Sequence, residues 1–404
     1  YKNVIYFRVL GLCNNFAYVI MLSAAHDILD EEQKTSNGTQ GSNKDTTYLS
    51  CNQIGTGAIL LADILPTLVI KTAGPLYIQK IGYKIKVSLT VLFALASFFI
   101  VGFAQDVWLS ILGVICASIS GGLGEITFLS LSSFFDRNVV STWSSGTGGA
   151  GVFGSLAYAG FTSAGLKPRT TVLIMVVVPV LMAISYFIVL VHPPELRHQE
   201  KGEESEHILK DHSKFNFYEF AVVLLCSKVK NKQELKTMQR PLLKYMIPLT
   251  TVYFAEYFIN QGLHELLYFN NIWIEKKEQY RWYQVDYQIG VFLSRSSVNL
   301  LQIKKLWILP LLQLVNMAVL LSQVFYRYIP NVWIIFAIVL FEGLLGGAAY
   351  VNTFYRMSIE IPAEHREFSL GAASLGDTIG IAVAGAVAIP SHNHMCSLKI
   401  KMNS

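Results

Sequence analysis

The sequence predicts an all-α polytopic membrane protein with about eleven transmembrane helices in a six-plus-five arrangement. Three observations carry that expectation. The composition is 52% hydrophobic and only 15% charged, too apolar for a soluble chain that must cover its core with polar residues. Uncharged runs of about 20 residues, enough to cross the hydrocarbon as helix, recur along the whole chain. The runs lack the strict polar-apolar alternation of a barrel strand, and in lipid only helices and closed barrels satisfy their backbone groups.

The first run, residues 4–27, is too long and too studded with polar side chains for a cleavable signal and reads as the first span. Runs at 56–76, 86–104, 107–128, 141–165 and 171–191 follow. After a charged stretch come 242–269, 284–301, 306–325, 332–353 and 368–389; polar residues interrupt the first, second and last of these. The expected organisation is a six-helix bundle at 1–191 with a lumenal loop at 30–52, a cytosolic linker at 192–241, a five-helix bundle at 242–389, and a short tail at 390–404.

Orientation follows from the loops. Ten Lys and Arg residues crowd 192–244, and Lys80, Lys84 and Lys86 follow the second span, so both stretches belong in the cytosol. The acidic loop 30–52 holds the sequon Asn37-Gly38-Thr39, which is glycosylated only on the lumenal side. The count of spans then puts the tail in the lumen, where oxidising surroundings would let Cys51 and Cys396 pair. In the linker, Glu204 with Ile208 and Leu209 has the form of an acidic dileucine address for cytosolic sorting adaptors.

The composition and motifs also exclude classes. A net charge of +5, with the basic residues in the connections, argues against a nucleic-acid partner. The five cysteines show no CxxC or CxxH spacing, no metal or cofactor is expected, and His392, His394 and Cys396 read as part of the tail. The glycine run from Ser144 to Gly151 lacks the Lys-Ser or Lys-Thr ending of a phosphate loop and reads as close helix packing, as does Gly343 with Gly347 at GxxxG spacing. No GxSxG, HExxH or paired-Asp motif supplies a nucleophile or metal, so an enzyme is not expected.

Ionisable residues inside a bilayer are costly and usually face a cavity or a partner. Here they fall at His26 and Asp27, Asp63, Glu125, Glu256, Arg295, Glu342 and Asp377, whereas the third, sixth and ninth spans carry none within their apolar runs. Six helices, a charged linker and five more is the layout of a major facilitator carrier lacking its last peripheral helix, and the charge-free spans are the outer supports of that fold. Helical spacing groups Glu256, Asn260 and His264 into one stripe and Gln288, Arg295 and Asn299 into another; these are the first choice for ligand contact. Asp63 shares a face with Thr67 around Pro66, and Gly113, Ala117 and Gly121 lead at four-residue spacing to Glu125.

Several stretches resemble the battenin family of lysosomal membrane proteins, whose defect is associated with juvenile neuronal ceroid lipofuscinosis. They are Leu10-Gly11-Leu12-Cys13-Asn14-Asn15-Phe16 and the segments 21–29, 61–67, 143–151, 253–262 and 342–354. The resemblance implies a major facilitator-like fold, residence in late endosomes and lysosomes, and a role in clearing glycerophosphodiesters from the lysosome. It also marks Glu256, Arg295 and Asp377 as functionally sensitive. Two features depart from the family: Cys396 is not a terminal prenylation box, and an apolar run at 215–226 lies within the linker.

The function expected is therefore export of small polar anions, with the Arg295 guanidinium gripping a phosphodiester, Gln288 and Asn299 taking glycerol hydroxyls, and Glu256 and Asp63 binding protons or neutralising Arg295 in the empty site. The rivals are a carrier of basic amino acids or nucleosides, recognised by the acidic residues, and a non-transporting sensor or trafficking scaffold acting through the linker.

Overall fold

Each apolar run read from the sequence falls on helix in the computed structural model, which describes residues 2–36, 56–77, 81–136, 138–191, 232–269, 272 and 276–402. Asn37, Cys51, Glu204, Ile208 and Leu209, with the glycosylation, disulfide and sorting expectations placed on them, lie outside the described residues, as do the side chains of His26, Asp27 and Cys396. Among the described residues all regular structure is helical. The N-terminal half comprises α1 (Lys2–Ser36), α2 (Thr56–Tyr77), α3 (Tyr83–Phe103), α4 (Val107–Leu131), α5 (Asn138–Ser163), and α6 (Pro168–Ile174) with α7 (Val177–Ile184). The C-terminal half comprises α8 (Lys232–Phe258), α9 (Lys276–Ser296), α10 (Ile308–Tyr326), α11 (Val332–Glu360), α12 (Ala363–Ala373) and α13 (Leu375–Met402). By length and apolarity alone, seven helices among the described residues could cross a membrane.

Several boundaries differ from the sequence reading. The first helix runs on to Ser36, into the expected loop, because Glu31, Glu32, Gln33 and Lys34 are good helix formers with no glycine until Gly38. The α-geometry of α8 stops at Phe258, where a π turn (Ile259–Leu263) and a 3-10 turn (His264–Leu266) take over. The helix α9 ends at Ser296 rather than at 301, since the Asn352 side chain on α11 accepts the Ile303 amide at 2.7 Å and holds the following loop off the helix axis. Finally, residues 390–402 are helix and not a tail: α13 runs through Pro390, whose ring costs one backbone hydrogen bond, and His392 beyond it is buried with Nδ1 3.3 Å from the Gly262 carbonyl.

The two halves repeat one packing scheme. In the first, α1 lies on α5 and α2 on α4; in the second, α8 lies on α13 and α9 on α11. Across the halves α5 meets α9 and α2 meets α13, the same pair of contacts under the equivalence of α1, α2, α4 and α5 with α8, α9, α11 and α13. That is a two-fold relation between halves. Lipid tails are as apolar as leucine, so such contacts depend on close van der Waals approach. Glycine provides it: a Cβ on Gly11 would stand 2.5 Å from the Trp143 carbonyl oxygen of α5, and one on Gly347 would stand 2.6 Å from the Val291 carbonyl oxygen of α9. On α4, Gly113 packs against the α3 backbone at Ser97 and Val101, while a Cβ on Gly121 would meet nothing and its carbonyl instead accepts from Asn14 of α1 at 3.2 Å.

The charge-free runs are the outer ones. Leu92, Phe99 and Phe103 of α3, Val177, Leu181 and Ile188 of the α6–α7 span, and Leu311 and Val315 of α10 are exposed apolar side chains, which in a bilayer face acyl chains. Buried ionisable side chains, Lys86 at the start of α3 apart, fall instead on α2, on α8 and the turns that follow it, and on α9, α11 and α13.

Candidate functional site

Where the two halves meet, two buried cations organise the polar residues. Lys71, on α2, is 1% exposed. Its Nζ lies 2.7 Å from Glu125 Oε2 of α4 and 3.0 Å from Asp377 Oδ1 of α13, and donates to the Ser374 carbonyl at 2.9 Å. Asp377 is further held by the Thr378 hydroxyl at 2.9 Å, and the other oxygen of Glu125 accepts from Tyr350 of α11 at 2.8 Å. An ammonium between two carboxylates on helices of different halves thus ties the halves together. Bare, each charge would be prohibitive there; paired and hydrogen-bonded it is tolerated. Glu125 and Asp377, both expected at a ligand site, are brought together here by a residue the sequence reading passed over.

The second cation is Arg295 of α9, near the C-terminal end of that helix. Its Nη1 donates to Thr147 Oγ1 of α5 at 2.6 Å, its Nη2 to the Tyr253 hydroxyl of α8 at 2.8 Å, and its guanidinium carbon lies 4.2 Å from the centre of the Tyr350 ring. Both hydrogen-bond partners are neutral, and Nε has none. The glycine run of α5 makes this approach possible: Gly148 packs on Phe292 and on the Arg295 side chain, and Gly151 on Gln288. Tyr350 joins the two cations, since its ring lies under Arg295 while its hydroxyl binds Glu125.

The remaining candidates divide. Glu256 accepts a hydrogen bond from Tyr287 of α9, and its carboxylate fills the space that Gly346 of α11 leaves open. Asp63 is fully buried on α2 with neither oxygen hydrogen-bonded. Neither carboxylate touches Arg295, so of the two roles expected for them, binding protons or neutralising Arg295 in the empty site, the second is not carried by direct contact. Thr67 bonds Ser118 of α4 through both its amide (3.0 Å) and its hydroxyl (2.9 Å), so the face around Pro66 serves α2–α4 packing. Asn260 and His264 turn to Glu342 of α11, fully buried: Asn260 Nδ2 donates to it at 3.2 Å, and His264 Nε2 stands 3.4 Å away without hydrogen-bond geometry. Gln284 of α9 closes this network on Asn260 at 3.2 Å. The stripe predicted along this span is interrupted by the π turn: Glu256 lies on α8, whereas Asn260 and His264 lie beyond its end and are consumed by protein contacts. Gln288 is half-buried against α5, whereas Asn299 lies past the end of α9 and is exposed, so it does not share the Arg295 face. Among the described residues no group of His, Cys, Asp and Glu has the geometry to hold a metal.

Sequence reasoning missed Lys71 and the tyrosines. The signal for Lys71 was present: Asp63, Thr67 and Lys71 recur every four residues, the rule that found the α8 stripe. Tyr18, Tyr253, Tyr257, Tyr287 and Tyr350 are counted as hydrophobic in a composition, which hides their hydroxyls. Yet Tyr18 of α1 and Tyr257 of α8 meet at 3.2 Å across the halves.

The family described as CLN3 protein matches residues 5–398. Battenin of Canis lupus familiaris is 46% identical over 406 residues, covering 98% of this chain and 92% of that protein. Protein BTN1 of Eremothecium gossypii is 35% identical with 98% and 95% covered, and protein BTN1 of Yarrowia lipolytica 34% with 98% and 94% covered. Among solved structures, that of the human organic anion transporter MFSD10 (TETRAN) aligns with a TM-score of 0.55 at 14% identity over 98% of this chain and 96% of that one. At such identity the likeness establishes the fold, a major facilitator-like, multi-pass membrane architecture.

Proposed function

The chain belongs to the CLN3 protein family, and from that premise we propose that it is a transporter of the lysosomal and late endosomal membrane that exports small polar anions, glycerophosphodiesters above all. The observation that carries this reading is Arg295: a permanently charged guanidinium, buried where the halves meet, whose protein partners are two hydroxyls and an aromatic ring. A phosphodiester supplies the two oxygens that a planar fork of donors matches, and low-dielectric surroundings strengthen that contact. The cross-half contacts of α5 with α9 and α2 with α13 supply the surfaces on which one half rocks against the other. The Lys71 triad is then the contact that breaks and reforms. Orientation follows the same logic: Asn3 at the start of α1 bonds Val191, next to the basic linker, while His392 reaches Gly262 in the π turn beyond the far end of α8, opposite that linker. A cytosolic linker therefore goes with a lumenal C-terminal end.

The decisive experiment is uptake into proteoliposomes, comparing glycerophosphocholine with arginine and with nucleosides. Saturable uptake of the phosphodiester, lost in Arg295→Lys, supports the reading; uptake of arginine alone, or of nothing, overturns it. The second reading, a carrier of basic amino acids, is favoured by Asp63, a buried carboxylate with both oxygens unsatisfied that an ammonium or guanidinium ligand would fill.

A further inference from the structure

Away from the central residues, a cavity of about 370 Å3 opens at one end of the C-terminal half. Lys244 from α8, Lys304 and Lys305 from the α9–α10 loop, and Arg356 near the end of α11 line it together with Trp307, which caps the start of α10, and Leu311 of α10. No acidic residue lines it. The acid that touches its cations is Glu360, which Tyr245 and Arg356 both bond and which Lys244 approaches at 3.5 Å. Arg356 also donates to the Lys304 carbonyl, pinning the basic loop to α11. Four cations against one carboxylate leave three positive charges in excess at a concave surface.

The apolar side places the cavity relative to the bilayer. Trp307 and Leu311 are 51% and 63% exposed at the start of α10, a helix long and apolar enough to cross the membrane. A tryptophan at the mouth of a span, with lysines just outside it and leucine just inside, sits at the level of lipid headgroups. Positively charged loops alone satisfy the rule that sets topology, but they need no cavity and no apolar wall.

We propose that this cavity binds an anionic phospholipid of the leaflet facing the basic linker, its phosphate on Lys244, Lys304, Lys305 and Arg356 and its acyl chains along Trp307 and Leu311. The cytosolic leaflet carries such lipids, and each basic residue near its surface adds to their attraction. A lipid seated there bridges α8, α10 and α11, three helices of the C-terminal half, and leaves the Arg295 region untouched.

The test uses the full chain in detergent. Retention of phosphatidylinositol phosphate is followed by native mass spectrometry and by the shift in thermal unfolding, with phosphatidylcholine as the neutral lipid and inositol bisphosphate as the headgroup without chains. The wild-type protein retains the anionic lipid and is stabilised by it, while phosphatidylcholine does neither. The double variant Lys304→Gln, Lys305→Gln, at exposed loop positions, weakens retention by roughly thirty-fold. Trp307→Ala, which keeps every charge, weakens it by about three- to ten-fold. Equal retention by the double variant and the wild type overturns the site. Inositol bisphosphate competing as well as the whole lipid overturns the lipid as its occupant.

Discussion

Lys71 and Arg295 are both buried cations at the junction of the halves, and they are held in opposite ways. Lys71 has a carboxylate on either side, at 2.7 and 3.0 Å, and a backbone carbonyl besides. Arg295 has two hydroxyls and a ring face. An ammonium is a point charge that two acids satisfy from any direction, whereas a guanidinium holds its donors in a plane and keeps its charge in every surrounding. The first arrangement is a complete set of interactions and needs no ligand. The second has no carboxylate in contact among the described residues, and so has something to offer an anion. That difference separates residues that hold the two halves together from residues that recognise substrate.

The largest effect should come from removing the lock. Lys71→Met leaves Glu125 and Asp377 facing each other in a dry interface, and breaking a buried pair in this way costs on the order of 3–5 kcal/mol. The expected outcome is loss of folded protein, seen as poor recovery and a large fall in unfolding temperature in detergent. Adding Glu125→Gln and Asp377→Asn to the same chain should restore much of the stability, because no uncompensated charge is then left. If Lys71→Met melts like the wild type, the triad is not what ties α2, α4 and α13.

Arg295→Lys probes the other side of the comparison. Charge and approximate length survive, so stability and trafficking should change little. An ammonium can still donate to the Thr147 and Tyr253 hydroxyls, but the planar fork that would hold two phosphate oxygens at once does not survive. With charge-assisted bonds worth about 1.5–3 kcal/mol, phosphodiester transport should fall by roughly ten- to a hundred-fold. A correctly localised Arg295→Lys protein with wild-type uptake would make Arg295 a structural cation like Lys71 and erase the distinction.

A smaller effect sharpens where the recognition side begins. At Gly148 a new Cβ would stand 3.1 Å from Phe292 Cα and 3.2 Å from Arg295 Cδ, tight contacts that must yield by a few tenths of an ångström. Gly148→Ala is expected to cost about 1 kcal/mol of stability or less. Transport should drop several-fold more than stability implies, because the added methyl displaces Arg295 and obstructs sliding of α5 on α9. Comparing the melting shift with uptake in the same preparation checks this.

How much of this could be seen in the sequence depends on what each feature rests on. Helices and their lipid-facing members were legible because apolar length and the absence of charge are local properties: α3, the α6–α7 span and α10 could be assigned as outer supports from composition alone. Arg295 was legible as a lone cation in an apolar run, and the α5 glycines as packing. Pairing was not legible. Glu125, Asp377 and Lys71 come from α4, α13 and α2, and nothing in their separate spans says that they meet. The tyrosine hydroxyls were hidden for the same reason, since Tyr253 and Tyr350 acquire their roles only from what packs beside them. The end of α9 was misjudged because a tertiary contact, Asn352 to the Ile303 amide, decides it.

That last error yields the smallest expected effect. Regular helical spacing from Gln288 through Arg295 would put Asn299 on the recognition face. With α9 ending at Ser296, Asn299 instead stands exposed in the loop, and Gln288 alone of the pair is half-buried, against Gly151 of α5. The two therefore cease to be equivalent. Asn299→Ala should leave stability within about 0.5 kcal/mol and uptake unchanged, as for an ordinary surface substitution. Gln288→Ala removes a side chain packed where the halves meet about two helical turns from Arg295, and should lower uptake a few-fold while the protein stays folded. Measuring both for the same phosphodiester discriminates between the structure and uninterrupted helical spacing: equal losses would mean that α9 continues past Ser296 when substrate is bound, whereas a loss at Gln288 alone places the boundary of the site at the end of the helix.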